Sequence, residues 1–244
     1  MSFSLSADWQ IIHQGAEYLI TPSPDKHCID FFDPQFWLAQ DAVINTAHGR
    51  GTTYFVKHND EVWVLRSYLR GGLVGRFIKR RFVYTGITRT RVYRELALLE
   101  HLHQAGVNVP RAIAGYIHRS NTSYECKLLL EAIPHAREIH ALCQNGTLTK
   151  AHCQTIGEMI AKMHHAGVYH HDLNIQNILL DADAVVWLID FDKCHASNTL
   201  TTSQKHANLK RLQRSIEKQK RLHPHYFFPA SHWEALLVAY EHAD

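Results

Sequence analysis

Two carboxylates and one amide in the second half of the sequence have types and spacing suited to chemistry. Asp172 and Asn177 lie five residues apart in the stretch HHDLNIQN, and Asp190 follows in LIDFDK. The carboxylate of Asp190 and the amide of Asn177 offer the hard oxygen ligands that Mg²⁺ prefers. Asp172 is then left to orient or deprotonate a hydroxyl group. Together the three residues predict a site for phosphoryl transfer.

The pattern around these residues predicts a helix, a loop and a hairpin. Thr149 can cap the helix LTKAHCQTIGEMIAKMHHAG, and Gly167 would end it just before the loop. NILL and VVWLI then predict two short strands joined by a turn. Such a hairpin places Asp190 at the end of its second strand, close to the loop that carries Asp172 and Asn177.

The first half of the chain is dominated by predicted strands. AVINTAHGRGTTYFVKH predicts a strand, a glycine turn and a second strand, and EVWVLRSYL predicts a further strand. The segment TRTRVYRELALLEHLHQAG is helical and is ended by Gly106. A hairpin through RSNTSYE follows, and Pro134 marks a break in the chain. We therefore expect an α+β fold with two lobes: a small antiparallel sheet and one helix in residues 1–133, and a mostly helical lobe in residues 134–244.

Length and composition are typical of a globular protein. A chain of 244 residues with 45% hydrophobic content can form one large domain or two small lobes with a core. No apolar run approaches the roughly 18 residues that a membrane span needs, and the first residues lack a signal-peptide pattern. The five cysteines are an odd number without a CxxC pair, which is typical of reduced thiols. We expect a protein of the cytosol.

The net charge of +3 conceals an uneven distribution of basic residues. Nine Lys/Arg and no Asp or Glu lie between Arg66 and Arg94, and seven Lys/Arg with one acid lie between Gln204 and His225. The remainder of the chain is acidic. The basic surface is therefore expected to be local and to face an anion. Phosphates, nucleic acid and a lipid surface remain open at this point.

A helix from Asn208 to Arg221 would separate apolar residues (Leu209, Leu212 and Ile216) from basic ones on the opposite face. Such a basic face can contact lipid phosphates, at about 1 kcal/mol for each Lys or Arg, although a solvated face is the alternative. RFIKRRFVY would provide a second contact. No nucleic-acid motif accompanies these segments, so a nucleic-acid partner is not expected. No protein partner is predicted either. The residues assigned to a substrate or membrane surface are Arg211, Arg214, Lys218 and Arg221.

HHDLNIQN followed by DFD resembles the catalytic loop and the metal-binding tripeptide of protein kinases. His170, Asp172 and Asn177 match the loop, whereas His171 stands where protein kinases usually have arginine. Asp192 replaces the glycine of the tripeptide. The missing glycine removes conformational freedom, and the missing arginine removes the partner of a phosphorylated activation loop. We expect no regulation of the protein-kinase type.

The first lobe contains further residues in the order that this resemblance implies. HGRGTT resembles a shortened glycine-rich loop, in which Gly49 and Gly51 would let backbone amides approach the phosphates of ATP. Arg66 of WVLRSY stands where a protein kinase has lysine, and it can neutralise phosphates and pair with Glu95 of YRELALL. The resemblance implies a bilobal protein-kinase-like fold, with ATP and Mg²⁺ as cofactors.

A narrower resemblance covers nearly the whole chain, from FDPQFW to the basic segment NLKRLQRSIEK. Together with these, the motifs GRGTT, LRSYLRGGLVGR, TRTRVYRE, HHDLNIQN and LIDFDK are similar to the 3-deoxy-D-manno-octulosonic acid (Kdo) kinases of lipopolysaccharide assembly. This resemblance implies transfer of the γ-phosphate of ATP to the 4-hydroxyl of the Kdo residue of Kdo–lipid IVA. It also implies a peripheral protein at the cytoplasmic face of the inner membrane of a Gram-negative bacterium.

Two alternatives remain beside this assignment. One is another atypical kinase, which acts on a lipopolysaccharide heptose, a small molecule or a protein. The other is a nucleotide-binding pseudokinase that serves as a scaffold, which the complete set of Asp172, Asn177 and Asp190 argues against. Because only 52 residues follow Asp192, we expect a reduced second lobe without the large subdomain that binds peptides in protein kinases.

Overall fold

Two compact units make up the protein in a computed structural model. The structure describes residues 3–48, 51–69 and 81–243. One unit, the sheet unit, comprises Phe3–Glu100 and Arg111–Ala132; the other, the helical unit, comprises residues 101–110 and 133–243.

Residues 101–110 belong to the helical unit, although the sequence analysis placed one division of the chain after residue 133. Hydrogen bonds explain this membership. His101 Nε2 bonds to the carbonyl oxygen of Ala166 at 2.8 Å, and the side-chain amide of Asn108 donates to the carbonyl oxygen of Val186 at 3.1 Å. These contacts are far apart in sequence, so the local pattern did not reveal them.

An antiparallel sheet of eight described strands forms the sheet unit. The strands are β1 (Gln10–Gln14), β2 (Glu17–Thr21), β3 (Val43–His48), β4 (Thr52–His58), β5 (Glu61–Ser67), β6 (Phe82–Val83), β7 (Ala112–Ser120) and β8 (Ser123–Glu131). Their order is β1-β2-β7-β8-β5-β4-β3, and β6 also pairs with β8. The predicted hairpin through RSNTSYE is present as β7 and β8, and the predicted strands of the glycine turn pair as β3 and β4.

Aromatic residues form the core on one face of this sheet. A 3-10 turn (Ile29–Phe32) and the short helix α1 (Pro34–Leu38) cover the face. Phe32 and Trp37 are each only 1% exposed, and the indole N–H of Trp37 donates to the carbonyl oxygen of Phe31 at 2.8 Å. Burial of such a side chain contributes roughly 2–3 kcal/mol. The sequence analysis did not assign this layer.

Helix α2 (Arg91–Gln104) lies against the sheet at Gly115 of β7. A Cβ at Gly115 would lie 2.7 Å from Val92 Cγ2 and 2.8 Å from Leu96 Cδ1, so a larger residue would push the helix away. Neighbours of Gly115 along β7 point to the opposite, aromatic face because strand residues alternate. The close approach brings Glu95, which lies beside Leu96 on the helix, to the sheet.

The helical unit contains four helices and five short strands in the described range. The helices are α3 (Ile139–Gln144), α4 (Lys150–His165), α5 (Thr202–Leu222) and α6 (Ala230–Ala243). The strands are β9 (Arg137–Glu138), β10 (Val168–Tyr169), β11 (Ile178–Leu180), β12 (Val186–Leu188) and β13 (His195–Ala196). Strands β12, β11 and β9 form one small sheet, and β10 pairs with β13.

Helix α4 is the scaffold of this unit. Thr149 caps it as predicted, since its side chain accepts a hydrogen bond from the backbone N–H of His152 at 3.2 Å. A Cβ at Gly157 would lie 2.2 Å from the carbonyl oxygen of Leu236, so glycine permits the close packing of α4 on α6.

Helix α5 begins at Thr202, six residues before the predicted start at Asn208, because Thr201 and Gln204 form a capping box. The predicted apolar face is confirmed, as its three members are buried. Asn208 is buried with them, which the sequence analysis did not expect.

The observed architecture confirms the predicted α+β class, with an antiparallel sheet first and helices later. The sheet is larger than expected because β1 and β2 extend it beyond β7. In the described ranges, no helix combines the length and apolar character that crossing a membrane requires.

Candidate active site

The stretch HHDLNIQN forms a loop, here the catalytic loop (residues 170–177), between β10 and β11. Gly167 precedes it with a φ of +73°, and a Cβ there would lie 2.0 Å from the carbonyl oxygen of Ser197. Both features require glycine. At its other end, a 3-10 turn (Ile175–Asn177) leads directly into β11. The loop is therefore fixed at both ends by secondary structure.

His170 is fully buried and links the catalytic loop to the end of β12. Its Nδ1 accepts a hydrogen bond from the backbone N–H of Asp172 at 3.1 Å, so Nε2 carries the proton and donates to the carbonyl oxygen of Ile189 at 3.1 Å. Burial lowers the pKa of His170, which keeps the ring neutral. The ring also lies against Phe191, with 4.7 Å between ring centroids. One neutral imidazole thus holds the backbone next to both Asp172 and Asp190.

Asn208 of α5 holds the backbone of His170 through a second pair of bonds. Its Nδ2 donates to the carbonyl oxygen of His170 at 2.9 Å, and its Oδ1 accepts from the N–H of His170 at 3.1 Å. The same Oδ1 accepts from His164 Nε2 at 3.2 Å, and His164 Nδ1 accepts from the hydroxyl of Tyr240 at 2.8 Å. A buried polar network is rigid when its members are satisfied. This one ties α4, α5 and α6 to the catalytic loop.

Further contacts continue along the same face of α5. Ser215 Oγ accepts a hydrogen bond from the backbone N–H of Ile175 at 3.1 Å and donates to the carbonyl oxygen of Leu212 at 2.7 Å. Residues three or four apart on a helix share a face. The contacts from helix to loop therefore run in register: Asn208 to His170, Arg211 to Asp172, and Ser215 to Ile175.

Asp172 presents a side chain that is 59% exposed, and Arg211 of α5 lies beside it. One terminal guanidinium nitrogen of Arg211 is 4.0 Å from Asp172 Oδ1. The sequence analysis grouped Arg211 with the basic stripe assigned to a substrate or membrane surface, and that assignment stays a prediction. Arg211 is turned towards the catalytic loop because it lies between Asn208 and Ser215, which both contact that loop.

Asn177 and Asp190 lie at the base of the β11–β12 hairpin that the sequence predicted. The side-chain N–H of Asn177 donates to the carbonyl oxygen of Asp172 at 2.9 Å, which leaves the amide oxygen as its remaining ligand atom. The backbone N–H of Ile189 donates to the carbonyl oxygen of Asn177 at 3.1 Å. Because Asp190 is the next residue after Ile189, its backbone lies close to Asn177. One amide oxygen and one carboxylate suit Mg²⁺ that is also bound by phosphates. The metal-binding role stays a prediction.

The backbone of Asp190 adopts a φ of +64°. This left-handed conformation is uncommon outside glycine, although Asp and Asn tolerate it better than other residues. Non-glycine residues held in this region cluster at functional sites. Asn is therefore the replacement that removes the charge of Asp190 with least disturbance of the backbone.

His171 pairs with His195 of β13. Its Nε2 lies 3.1 Å from His195 Nδ1. Burial, followed by the positive charges of His195, Arg211 and Lys193, lowers the pKa of His171. This position therefore carries no permanent positive charge of the kind that binds a phosphorylated activation loop in protein kinases.

In the sheet unit, Arg66 of β5 forms an ion pair with Glu95 of α2, as the sequence analysis allowed. Glu95 is 3% exposed, and its second oxygen accepts a hydrogen bond from the hydroxyl of Tyr68 at 2.7 Å. Burial and the neighbouring Glu95 carboxylate raise the pKa of Tyr68 well above its ordinary value, so its hydroxyl stays protonated and donates. Both carboxylate oxygens of Glu95 thus have partners, and the guanidinium of Arg66 is held in place.

Gly49 and Arg50 of the predicted glycine-rich loop lie outside the described residues, as do residues 76–80 of RFIKRRFVY, the predicted second lipid contact. Gly51 is described. A Cβ there would lie 2.5 Å from Leu69 Cδ1, the end of a side chain that can move. Arg81 forms an ion pair with Glu125 at 3.5 Å. The roles predicted for Gly49 and Gly51 stay predictions.

The other three residues of the predicted basic stripe, Arg214, Lys218 and Arg221, are exposed on α5. Nε of Arg221 donates to the carbonyl oxygen of Glu217 at 3.2 Å. Two large apolar side chains follow nearby in sequence, Leu222 at 60% exposure and Phe227 at 45%. The end of α5 thus combines positive charge with exposed apolar surface.

The lipopolysaccharide kinase (Kdo/WaaP) family model matches residues 34–240 of this chain. The chain belongs to this family. Membership identifies a phosphotransferase of the kinase type, for which ATP is the usual phosphate donor. Of the sequence alternatives, a phosphotransferase is favoured over a scaffold without catalytic activity, because the residues matching the family's catalytic motifs, Asp172, Asn177 and Asp190, are all present.

Several relatives are each named 3-deoxy-D-manno-octulosonic acid kinase. One from Vibrio vulnificus is 43% identical over 210 residues, which is 86% of this chain and 88% of the relative. One from Vibrio parahaemolyticus is 44% identical and covers 86% and 85% of the two chains, and one from Haemophilus influenzae is 39% identical and covers 88% and 91%. Among solved structures, WbdD bound to a kinase inhibitor aligns at a TM-score of 0.47 and 15% identity, over 82% of this chain and 45% of that one.

Several positioning residues of this kinase escaped the sequence analysis. Tyr68 carried a signal, because it follows Arg66 by two residues in the predicted strand EVWVLRSYL and is therefore expected on the same face. Ser215 and Arg211 also share a helix face. The pairing of Asn208 with His170 spans 38 residues and left no local pattern.

We predict that Asn208→Ala lowers the free energy of unfolding by about 3 kcal/mol, because it leaves the buried N–H and C=O of His170 without partners at about 1–3 kcal/mol each. Turnover should fall as well, since Asp172 lies two residues away. Urea unfolding and initial rates measure both effects. The matched control is His206→Ala, an exposed position on the same helix. Equal stability of the two variants would contradict the anchoring role of Asn208.

Proposed function

We propose that this kinase transfers the γ-phosphoryl group of ATP to the 4-hydroxyl of the Kdo residue of Kdo–lipid IVA. The choice of acceptor is supported by the relatives, which are 37–44% identical and share the name Kdo kinase. The structural observation that best supports phosphoryl transfer is the environment of Asp172. Its carboxylate is exposed to solvent, whereas its backbone is hydrogen-bonded to the side chains of His170 and Asn177.

Asp172 would accept a hydrogen bond from the attacking hydroxyl and align its oxygen with the γ-phosphorus. The bond that forms joins the sugar oxygen to phosphorus, and the bond that breaks joins phosphorus to the β,γ-bridging oxygen. ADP leaves with that bridging oxygen, and the hydroxyl proton passes to Asp172. Because phosphoryl transfer depends mainly on positioning and charge, a rigid catalytic loop is what this step requires.

Asn177 and Asp190 would hold Mg²⁺, which screens the phosphate charge when it is bound. Arg66, fixed by Glu95, offers a planar cation for the nucleotide phosphates. Arginine here differs from the lysine of protein kinases by donating several parallel N–H groups. Gly49 and Gly51 would let the backbone approach the same phosphates.

The proposed reaction is tested by incubating the protein with Mg²⁺-ATP and four acceptors: Kdo–lipid IVA, lipid IVA, a heptose-containing lipopolysaccharide core and a soluble Kdo glycoside. We expect a mass gain of one phosphoryl group on both Kdo acceptors and none on lipid IVA. Two-dimensional NMR of the product should place the phosphate on the 4-hydroxyl. Transfer confined to the heptose acceptor, or no transfer to either Kdo compound, would contradict the proposal.

Asp172→Asn and Asp190→Asn should separate the two proposed roles. Asp172→Asn should lower kcat by about 10²–10⁴ with little change in nucleotide affinity, because only the base is lost. Asp190→Asn keeps a residue that tolerates the left-handed backbone, so it should fold normally and weaken Mg²⁺-dependent ATP binding. Calorimetric titration with Mg²⁺-ATP and steady-state rates provide the measurements. If either variant retains wild-type turnover, that residue has no essential role.

We also propose a peripheral location at the cytoplasmic face of the inner membrane, with the end of α5 against anionic lipid. The exposed side chains of Arg214, Lys218 and Arg221 support this proposal through charge, and Leu222 and Phe227 through apolar surface. Basic residues near an anionic surface each contribute about 1 kcal/mol. Aromatic and aliphatic side chains at the edge of such a patch can enter the interface.

The double variant Arg214→Gln/Lys218→Gln should weaken binding to anionic vesicles by about 2 kcal/mol and reduce the dependence of binding on salt. Its unfolding should be unchanged because both side chains are exposed. The matched control is Lys150→Gln/Lys162→Gln, which removes the same charge from exposed positions on α4. Vesicle sedimentation at several salt concentrations compares them. An equal loss in the two double variants would indicate a net-charge effect and contradict the assigned surface.

A further inference from the structure

Arg211 is the one residue of the predicted basic stripe that is directed at the catalytic loop. It lies between Asn208 and Ser215, whose hydrogen bonds to His170 and Ile175 fix this part of α5. The backbone from which the Arg211 side chain extends is therefore fixed next to the catalytic loop, and its guanidinium group lies beside Asp172. Groups held this way can recognise a substrate without a large ordering cost.

The guanidinium group of Arg211 does not use all of its hydrogen-bond donors within the described residues. Its distance of 4.0 Å from Asp172 Oδ1 exceeds that of a hydrogen bond, so the ion pair is loose. Nε is buried and makes no hydrogen bond within the described residues. The side chain as a whole is 40% exposed, so a ligand can reach it. The terminal nitrogens of this cation are the atoms that an anionic ligand can reach, and an ordered anion there would stabilise a guanidinium that is incompletely hydrogen-bonded.

Neighbouring charges favour the same kind of ligand. Arg211 and Lys193 are both near enough to His171 to contribute to lowering its pKa, so two cationic side chains lie on this side of the loop beside the Asp172 carboxylate. A planar guanidinium binds a carboxylate through two parallel hydrogen bonds. The proposed acceptor is a sugar acid, which carries a carboxylate and the accepting hydroxyl on one molecule.

We propose that Arg211 binds the carboxylate of the acid-sugar acceptor and thereby sets its hydroxyl against Asp172. The inference rests on the proposed function and adds the residue that selects an acidic sugar over a neutral one. The short distance between Arg211 and Asp172 allows one sugar ring to reach both side chains. An acceptor that lacks the carboxylate would leave the guanidinium of Arg211 unpaired. Polar sites usually reject such substrate analogues strongly for this reason.

The test uses a soluble Kdo glycoside and its methyl ester, so that membrane binding does not enter. For the free acid, Arg211→Gln should raise the acceptor KM by about 10- to 100-fold, the range for a lost hydrogen bond to a charged group, with an unchanged KM for ATP. Arg211→Lys should lie between, because lysine keeps the charge without the fork. Esterification should impair the wild type by a similar factor but should not further impair Arg211→Gln. The control Lys210→Gln, exposed on the same helix, should match the wild type.

The outcomes separate this inference from the proposed function. If the wild type phosphorylates the acid and its ester equally well, the assignment of Arg211 fails and the Kdo kinase activity stands. A rise in the KM for ATP rather than for the acceptor would place Arg211 at the nucleotide and also overturn the assignment. If no Kdo acceptor is phosphorylated, both fail. The ester comparison uses the wild type alone, so it decides the question even if an Arg211 variant does not fold.

Discussion

The side-chain amide of Asn208 satisfies both backbone polar groups of His170, and the geometry of the catalytic loop depends on this buried pairing. A buried N–H or C=O without a partner costs about 1–3 kcal/mol, so the loop cannot leave α5 without a penalty. His164 and Tyr240 orient the amide in turn. As a result, three helices determine the position of a loop that has almost no regular structure of its own.

The ring of His170 extends this constraint to the metal-binding side of the site. Its two nitrogens connect the N–H of Asp172 with the carbonyl oxygen of Ile189. This bridge needs a neutral ring with its proton on Nε2. Burial keeps the ring neutral by lowering the pKa of His170, and the hydrogen bonds of the two nitrogens select this tautomer. Below about pH 6.5, protonation of His170 favours the unfolded chain over the folded one. The contribution of buried His170 to the free energy of unfolding is therefore present above that pH and is lost as the pH falls. The residue held on one side is the proposed base, and the residue held on the other is a proposed metal ligand.

Local patterns predicted the catalytic loop, the hairpin before Asp190, the cap at Thr149 and the helix that carries Glu95, because turn residues and hydrophobic periodicity act over a few residues. They did not predict contacts between distant segments. A helical wheel gives the angles between Arg211, Arg214 and Lys218, but it does not say which flank of the apolar face meets another part of the protein. Arg211 was therefore grouped with the exposed residues. The aromatic layer around Trp37 was missed for a related reason, since a helix of five residues has little periodicity to detect.

Hydrogen exchange at the backbone amide of His170 tests the central claim most directly, namely that α5 fixes the catalytic loop. This N–H is buried and donates to Asn208 Oδ1, so in the wild-type protein it should exchange only when the helical unit unfolds, with a free energy of opening equal to that of unfolding. The amide of the neighbouring exposed residue His171 donates to Cys194 Sγ at 3.4 Å, a weak acceptor, so it should exchange much faster. If the His170 amide exchanges as fast as that of His171, the loop opens independently of α5 and the account is contradicted.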